Sequence, residues 1–251
     1  MIQYAINAAG YVENEKVLEN ITGKIEPGEI ITIAGPSGSG KTTLLLTLTG
    51  VLTNLLNGLV EGKVLLNNID PLQYEGFIET PRIIGAVLQD PDKQIAMPTP
   101  LDEVLFLLEN LGYGEEEARK LALTVLKKYG LEDKAYEHVE LLSGGQKRRL
   151  TFASAVVHDP KILFLDEPTA SVDPWGIKQI REFIVDAKKK NRTIIVIEHK
   201  LKYFIDLADK IQLFSKGKMI KQYDRDEITG CLLYTSPSPR DLSTSRMPSS
   251  A

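Results

Sequence analysis

The 251-residue sequence has little cysteine and little charge imbalance. Its single cysteine is Cys231, so the first 230 residues exclude a disulfide framework and a thiolate metal site. A formal net charge of −4 gives no general electrostatic reason to expect nucleic-acid binding. The N-terminal residues lack the basic-then-apolar layout of a signal peptide. What is present, 43% hydrophobic and 25% charged residues, is ordinary for a soluble globular domain.

Long apolar runs are also scarce. One uncharged stretch, residues 42–60 (TTLLLTLTGVLTNLLNGLV), has almost the length of a membrane span. Its repeated Thr, Asn and Gly, and the lysine directly before it, make a span a poor interpretation. We expect a buried helix followed by a loop.

Four short apolar segments predict the strands of a sheet: GEIITIAG, RIIGAVLQ, KILFLDE and RTIIVIEH. They are continuous rather than alternating, which is typical of strands buried on both faces of a mainly parallel sheet. Residues 101–157 instead show helical periodicity. Two early segments, VLENITGKIEPGEI and VEGKVLLNNIDPL, predict antiparallel strands. The sequence therefore predicts an α/β fold that is interrupted by a mostly helical region.

The segment GPSGSGKTT follows the first of these strands and opens a helix, so it fits the phosphate-loop pattern G-x-x-x-x-G-K-[ST] in its required context. Its glycines let backbone N–H groups converge on a phosphate, and the helix N-terminus adds partial positive charge. We expect Lys41 to reach the β- and γ-phosphates and the Thr42 hydroxyl to ligate Mg²⁺. The predicted nucleotide-binding residues here are Gly35, Pro36, Ser37, Gly38, Ser39, Gly40, Lys41, Thr42 and Thr43.

The strand KILFLDE ends in two adjacent carboxylates. Asp166 is placed to hold Mg²⁺, and Glu167 to polarise an attacking water. Taken alone, this pattern is equally consistent with a solvated strand end. The phosphate loop upstream is what favours the nucleotide interpretation.

The segment LLSGGQKRRL predicts a helix capped by Ser143 with two glycines behind it. A serine hydroxyl and glycine amides at a helix N-terminus can form an anion site. An ordinary capped helix is the alternative. For Lys147, Arg148 and Arg149 we expect a solvated face.

The phosphate loop, LSGGQ, LFLDEPTASVD and a strand ending in histidine occur in this order. Across nearly all of residues 1–229 the sequence thereby resembles the nucleotide-binding domain of ABC ATPases. The resemblance implies one domain with a RecA-like P-loop NTPase core, an N-terminal antiparallel β subdomain and a helical subdomain at about 101–157. It also implies that two such domains face each other head to tail. Each ATP would lie between one phosphate loop and the partner's Ser143, Gly144, Gly145 and Gln146.

The same resemblance assigns roles to single residues. Tyr11 matches the aromatic residue that stacks on adenine, although a plain strand residue is the alternative. Gln89 matches a glutamine that contacts Mg²⁺ and water, and Glu167 matches the catalytic base. Asp173 matches a loop that communicates across the dimer, and His199 matches a γ-phosphate sensor. The implied ligands are therefore ATP and Mg²⁺, with Thr42, Gln89 and Asp166 at the metal.

The segment VLQDPDKQIAMPTPLDEVLFLLENLG resembles ATPases of energy-coupling-factor transporters, which import vitamins or transition-metal ions through a separate membrane protein. LNGLVEGKVLLNNIDPL resembles tandem members with two ABC domains on one chain. The implied partners are a second ABC domain (identical, different or fused), a transmembrane coupling subunit and a substrate-binding membrane subunit. The implied location is peripheral, at the cytoplasmic face of the cell membrane. Two departures are SVD in place of the usual Ala-Leu-Asp and Lys200 where Asp is frequent.

Two functions follow from these features. The first is the ATP-hydrolysing motor of an importer, with no nucleic acid expected as a partner. The alternative is a soluble ABC ATPase that acts on ribosomes or DNA without a transport role. The two histidines outside the motifs, His138 and His158, we expect at the surface.

The C-terminal segment CLLYTSPSPRDLSTSRMPSSA is unlike the rest of the chain. It resembles the conceptual translation of a transposase-based sequencing-library adapter, and a genuine disordered Ser/Pro tail is the alternative. We therefore treat residues 230–251 as a non-native tail and expect the natural chain to continue beyond Thr229. A fused second ABC domain would lie there.

Overall fold

A computed structural model describes residues 1–12, 15–170 and 172–228. The expected non-native tail at 230–251 lies outside these residues, and so does Thr229, the last residue expected to be native. The strands are β1 (Ile2–Gly10), β2 (Leu18–Ile25), β3 (Ile30–Ala34), β4 (Leu59–Leu66), β5 (Ile84–Val87), β6 (Ile162–Asp166), β7 (Thr193–Ile197), β8 (Lys210–Ser215) and β9 (Lys218–Asp224). The α-helices are α1 (Lys41–Leu48), α2 (Val51–Asn54), α3 (Tyr74–Glu79), α4 (Pro91–Gln94), α5 (Pro100–Asn110), α6 (Glu115–Lys128), α7 (Gly144–Val156) and α8 (Pro174–Lys189).

The larger sheet has the strand order β5-β6-β7-β3-β8-β9. All neighbours in it are parallel except β8 and β9. Successive residues of the central strands pack into two different cores: Ile31 and Ile33 face one, and Ile30 faces the other. Burial on both faces explains why these strands are continuously apolar in sequence. The predicted mainly parallel sheet is confirmed.

A smaller antiparallel sheet in the order β2-β1-β4 packs beside it, as the two early segments predict. A buried hydrogen bond joins the sheets, because the Tyr4 hydroxyl on β1 donates to Gln212 Oε1 on β8 over 2.9 Å. Burial raises the pKa of Tyr4 to about 12. An added Cβ at Gly23 would lie 2.2 Å from the Tyr4 hydroxyl, so glycine is required opposite this tyrosine.

The predicted helical region contains α5, α6 and α7, which share an apolar core of their own. Thr99 caps α5 by accepting a hydrogen bond from the backbone of Asp102. Helix α6 has three glutamates in its first turn and two lysines in its last, which suits the helix dipole. These features agree with an inserted helical subdomain.

The uncharged stretch at 42–60 becomes α1, α2 and the start of β4. Within residues 1–12, 15–170 and 172–228, we find no helix with the length and apolarity that crossing a bilayer requires. The expected buried helix is confirmed as α1, and the chain re-enters the smaller sheet at β4 after the short helix α2.

Candidate nucleotide-binding site

The phosphate loop leaves the carboxyl end of β3, which lies in the middle of the larger sheet. Gly38 and Gly40 have φ angles of 73° and 98°, a left-handed conformation that glycine adopts without strain. An added Cβ at Gly35 would lie 2.2 Å from the Phe214 carbonyl oxygen. The glycines of the motif are therefore required by the loop's own geometry.

Lys41 is only 4% exposed, and its ammonium group points back into the loop. Nζ donates to the carbonyl oxygens of Gly35 and Pro36, each at 2.9 Å. Burial lowers the pKa of Lys41, and the nearby carboxylates of Glu167 and Asp166 oppose that shift. The loop thus holds the buried ammonium group of Lys41 at the position where the motif predicts phosphate binding.

The N-terminus of α1 is capped by the backbone of Gly40 without any side-chain hydrogen bond. Gly40 has no side chain that could accept from the first N–H groups of α1, which suits an anion site at this position. Thr42 is exposed in this first turn, whereas Thr43 is buried. The Tyr11 hydroxyl lies 3.3 Å from Thr43 Oγ1, which places the exposed tyrosine beside the loop.

Asp166 ends β6, next to β7 in the sheet. Its Oδ1 is buried and has no hydrogen-bond partner among the residues that the structure describes. Burial first, and then the charge of Glu167, raise the pKa of Asp166 to about 6. A buried carboxylate oxygen that lacks a donor is what a cation ligand looks like before the cation is bound.

Glu167 connects the ends of three strands. Its Oε2 accepts from Gln89 Nε2 at 3.0 Å, and its Oε1 lies 2.5 Å from His199 Nε2. His199 Nδ1 donates in turn to the Gly35 carbonyl oxygen at 2.8 Å. Glu167 has a φ of 45°, a left-handed conformation that costs a non-glycine residue about 1 kcal/mol. The structure therefore brings Gln89, Glu167, His199 and the phosphate loop together.

The signature segment, LSGGQ at residues 142–146 before and in the first turn of α7, is arranged differently. Ser143 Oγ accepts from the Gln146 backbone N–H, and Gln146 Oε1 accepts from the Ser143 backbone N–H. The predicted cap is confirmed, as a reciprocal capping box. Apart from its chain neighbours and the backbone of α7, a Cβ added to Gly144 or Gly145 would meet no atom of the described residues within 4 Å. These glycines lie in open space, and the fold alone does not require them.

Asp173 caps α8 by accepting a hydrogen bond from the Gly176 backbone N–H at 2.6 Å. This contact gives it a structural role in addition to the one that the sequence suggests. Trp175 follows it and is largely exposed.

The expectation of a solvated basic face on α7 is wrong. Lys147 forms an ion pair with Asp92 at 2.5 Å, and its side chain is mostly buried. Arg149 is half-buried, and its Nε is buried without a hydrogen-bond partner in the described part of the chain. Contacts with elements distant in sequence cover this face, and helical periodicity does not reveal them.

Arg148 contradicts the expectation most clearly. Its guanidinium donates to the carbonyl oxygens of Pro168 at 2.5 Å and Ala170 at 3.3 Å. Burial lowers the pKa of Arg148. It therefore ties the signature helix to the loop that follows Glu167, and sequence reasoning missed this link.

The two remaining histidines have different outcomes. His138 is exposed, as expected. His158 is only 8% exposed, and its Nε2 lies 3.1 Å from the Ile84 carbonyl oxygen, so the surface expectation is wrong. Burial lowers the pKa of His158.

Sequence reasoning also missed Glu198, a buried carboxylate directly before His199.

The chain is similar to known proteins in both sequence and fold. The ABC transporter family model matches residues 18–170. The energy-coupling factor transporter ATP-binding protein EcfA of Methanocaldococcus jannaschii is 35% identical over 220 residues, which cover 87% of this chain and 77% of that protein. A longer putative ABC transporter ATP-binding protein of Methanosarcina mazei is 34% identical over 235 residues, and this chain covers 40% of it.

A solved structure of similar fold is cbiO1 from Clostridium perfringens, described as part of the ABC transporter complex cbiONQ. It has a TM-score of 0.77 and 31% identity, covering 91% of this chain and 90% of that one. A dimeric ATP-binding cassette in a post-hydrolysis state with ADP and Pi also has a TM-score of 0.77, with 27% identity, covering 89% of this chain and 98% of that one. With the motifs and the fold in agreement, the chain belongs to the ATP-binding proteins of the ABC transporter family.

Proposed function

We propose that this chain is the ATP-hydrolysing motor of an importer of the energy-coupling-factor type, which takes up a vitamin or a transition-metal ion. The observation that carries the hydrolytic part is the hydrogen-bonded group of Gln89, Glu167 and His199 against the phosphate loop. A base, a sensor and a phosphate-binding lysine occupy one edge of the sheet. Parallel α/β sheets bind their ligands at this edge.

Nucleotide binding rests on the loop and the residues beside it. Lys41 is hydrogen-bonded to carbonyl oxygens, and phosphate oxygens would be stronger acceptors for its ammonium group. The N–H groups at the start of α1 would add backbone donors. The exposed ring of Tyr11 is placed to stack on the adenine base.

The residues fit Mg²⁺. This ion favours oxygen ligands and is usually held by one or two carboxylates together with phosphates and waters. Asp166 Oδ1 is buried and receives no hydrogen bond from the described part of the chain, and the Thr42 hydroxyl is exposed at the helix start. The amide of Gln89 is exposed nearby and hydrogen-bonded to Glu167. Bound there, the ion would neutralise charge on the phosphates.

Glu167 is placed to act as the general base. Its side chain is 20% exposed, so water can reach the carboxylate. The amide of Gln89 and the imidazole of His199 hold one oxygen each and fix its direction. In this role Glu167 would accept a proton from the attacking water.

The signature segment suits a partner's ATP. Ser143, Gly144 and Gly145 are exposed at the N-terminus of α7, and open space surrounds both glycines. A second domain placed head to tail would bring its own nucleotide against these N–H groups. The dimeric cassette among the similar structures supports this arrangement.

The importer type rests on the relatives. EcfA is named an energy-coupling factor protein, and cbiO1 is described as part of a transporter complex. In this chain, Leu88 and Phe106 are exposed apolar residues of the segment that resembles such ATPases. We infer that this segment receives a membrane coupling subunit at the cytoplasmic face of the membrane.

The hydrolytic part is tested with the full chain and Glu167→Gln. Steady-state Mg-ATP hydrolysis should fall at least about 100-fold, because the amide cannot accept the proton. ATP affinity, measured by calorimetry, should stay within about threefold. Glu116→Gln, on the exposed first turn of α6, is the matched control and should match the wild type. Loss of binding together with unchanged turnover per bound ATP would refute the role given to Glu167.

The transport part needs the neighbouring genes. Expressed with the polytopic membrane proteins encoded beside it, the chain should co-purify with them in detergent, and the complex should hydrolyse ATP faster than the chain alone. A chain that instead sediments with ribosomes or binds duplex DNA, and ignores these membrane proteins, would refute the importer and favour the soluble alternative.

A further inference from the structure

Glu198 is a buried carboxylate at the nucleotide edge of the sheet. It follows β7 directly and is 3% exposed. Its backbone N–H donates to the Ile33 carbonyl oxygen on β3 at 3.0 Å, so the strand that carries the phosphate loop fixes its position. A buried carboxylate persists in a fold only when donors satisfy its oxygens.

Those donors come from two loops of the site. Oε1 accepts from the backbone N–H groups of His199 at 2.8 Å and Lys200 at 3.1 Å. Oε2 accepts from the buried hydroxyl of Thr169, two residues after Glu167. One carboxylate thus holds the start of the histidine loop and the loop behind the proposed base.

We propose that Glu198 is a positioning residue for ATP hydrolysis, which sets the geometry of His199 relative to Glu167. The inference rests on the proposed ATPase activity and deepens it. Hydrogen bonds to an ionised carboxylate are about twice as strong as neutral ones. An apolar side chain at this position would leave two backbone N–H groups without their acceptor. His199 would then lose the anchor that aims its Nε2 at the base.

Glu198 does not itself act as the base. Both of its oxygens already accept hydrogen bonds, and burial excludes water from them. The carboxylate of Glu167 is the more exposed one and faces Gln89 and His199. The two glutamates therefore have different tasks, and different substitutions test them.

The variants are Glu198→Ala and Glu198→Gln. The glutamine oxygen can accept from both backbone N–H groups, and its amide can donate to the Thr169 hydroxyl, which accepts as well as donates. Glutamine therefore preserves the contacts without the charge. Alanine removes them all.

In the full chain, Glu198→Ala should lower kcat for Mg-ATP by about 10- to 100-fold while KM changes less than about threefold. Glu198→Gln should restore kcat to within about threefold of the wild type. In a His199→Ala background, Glu198→Ala should cost less than about threefold more, because it acts through the histidine. Circular dichroism and the melting temperature report on the fold of each variant.

Equal kcat in the wild type and Glu198→Ala would overturn this inference alone, and so would a loss that is fully additive with His199→Ala. A wild type without hydrolysis would overturn the proposed function and this inference with it. If Glu198→Ala does not fold, Thr169→Val and Thr169→Ser carry the test. Valine should lower kcat about three- to tenfold and serine should not, and equal kcat in both would overturn the inference.

Discussion

The phosphate loop edge and the signature turn are both predicted to contact ATP, yet they are built in opposite ways. At the loop, Lys41, Glu167 and His199 all have hydrogen-bond partners within the chain. At the turn, the side chains of Ser143 and Gln146 bond only to each other's backbone in the described part of the chain, and the glycines face open space. At the loop edge these three side chains are already hydrogen-bonded within the chain, whereas the turn presents its backbone to the outside.

This difference indicates how each region would meet a nucleotide. At the loop, ATP must replace hydrogen bonds that already exist, so binding there depends on stronger, charge-assisted contacts. At the turn nothing has to be displaced, and a ligand has only to arrive with a partner domain. The first region is therefore sensitive to the loss of a side chain, and the second to the gain of one.

Among substitutions at the phosphate loop edge, we expect Lys41→Ala to have the largest effect on ATP affinity. Removing the ammonium group should weaken ATP binding at least about 100-fold, because its charge-assisted contacts with phosphate are lost. Calorimetric titration with ATP measures this. Lys120→Ala, an exposed lysine on α6, should bind like the wild type. An unchanged ATP affinity of Lys41→Ala would contradict the claim that binding at the loop edge depends on charge-assisted contacts.

Gly145→Ala tests the turn. Outside its own helix turn, the added methyl meets no atom of the described residues within 4 Å, so the melting temperature should stay within about 2 °C. Hydrolysis should fall about tenfold or more, because the methyl would stand where the partner's phosphate approaches. The methyl of Gly114→Ala at the start of α6 also has no described atom within 4 Å beyond its chain neighbours, and this substitution should alter neither quantity. A destabilised but fully active Gly145→Ala protein would contradict the open-surface interpretation.

Arg148→Ala sharpens the comparison, because this side chain joins the two regions. It should lower the free energy of unfolding by about 2 kcal/mol, since two carbonyl oxygens lose charged donors. Urea unfolding measures the change. Arg119→Ala is the control, because the hydrogen bond from Arg119 to the Tyr136 hydroxyl is exposed, and its loss should cost less than about 0.5 kcal/mol. Equal effects of the two substitutions would contradict the structural link.

An ion pair outside both regions sets the scale for ordinary polar contacts. Arg192 is 5% exposed and pairs with Asp159, whose pKa this hydrogen bond lowers. Asp159→Asn should destabilise the protein by about 1 kcal/mol at pH 7, because Asp159 is itself exposed and screened.

The pH dependence of this pair has a definite sign. A carboxyl whose folded-state pKa lies below 3.8 stabilises the fold above that pH, and the stabilisation is lost as pH falls through the folded-state pKa. The difference in the free energy of unfolding between the wild type and Asp159→Asn should therefore shrink below pH 3.8. A difference that grows on acidification would contradict the pairing. Asparagine tolerates the positive φ of 55° at this position, so backbone strain does not confound the test.

The sequence predicted the elements of the fold better than their contacts. The buried strands could be predicted because burial on both faces leaves a continuous apolar run, as in β3 and β7. The position of the phosphate loop followed from the motif between strand and helix. The contact of His199 with Gly35 could not be derived from residue patterns alone, because it depends on β7 lying between β6 and β3.

The wrong expectations of exposed side chains also result from contacts between segments that are distant in the sequence. The sequence pattern around His158 and Arg148 suggests that these polar side chains face solvent. In the structure, other segments of the chain cover them. The Arg148 acceptors are main-chain oxygens 20 and 22 residues further along the chain, and backbone carbonyls have no sequence signal. Glu198 was missed for a related reason, since a carboxylate at a strand end gives no sign of whether water or two loops surround it.

The left-handed backbone of Glu167 has a consequence for protein engineering. At φ 45° the residue that folding alone would prefer is glycine. A library of variants selected only for thermal stability should therefore enrich Glu167→Gly. The most thermostable variants should then be ones that no longer hydrolyse ATP. Directed evolution of this chain would have to select for turnover at every round.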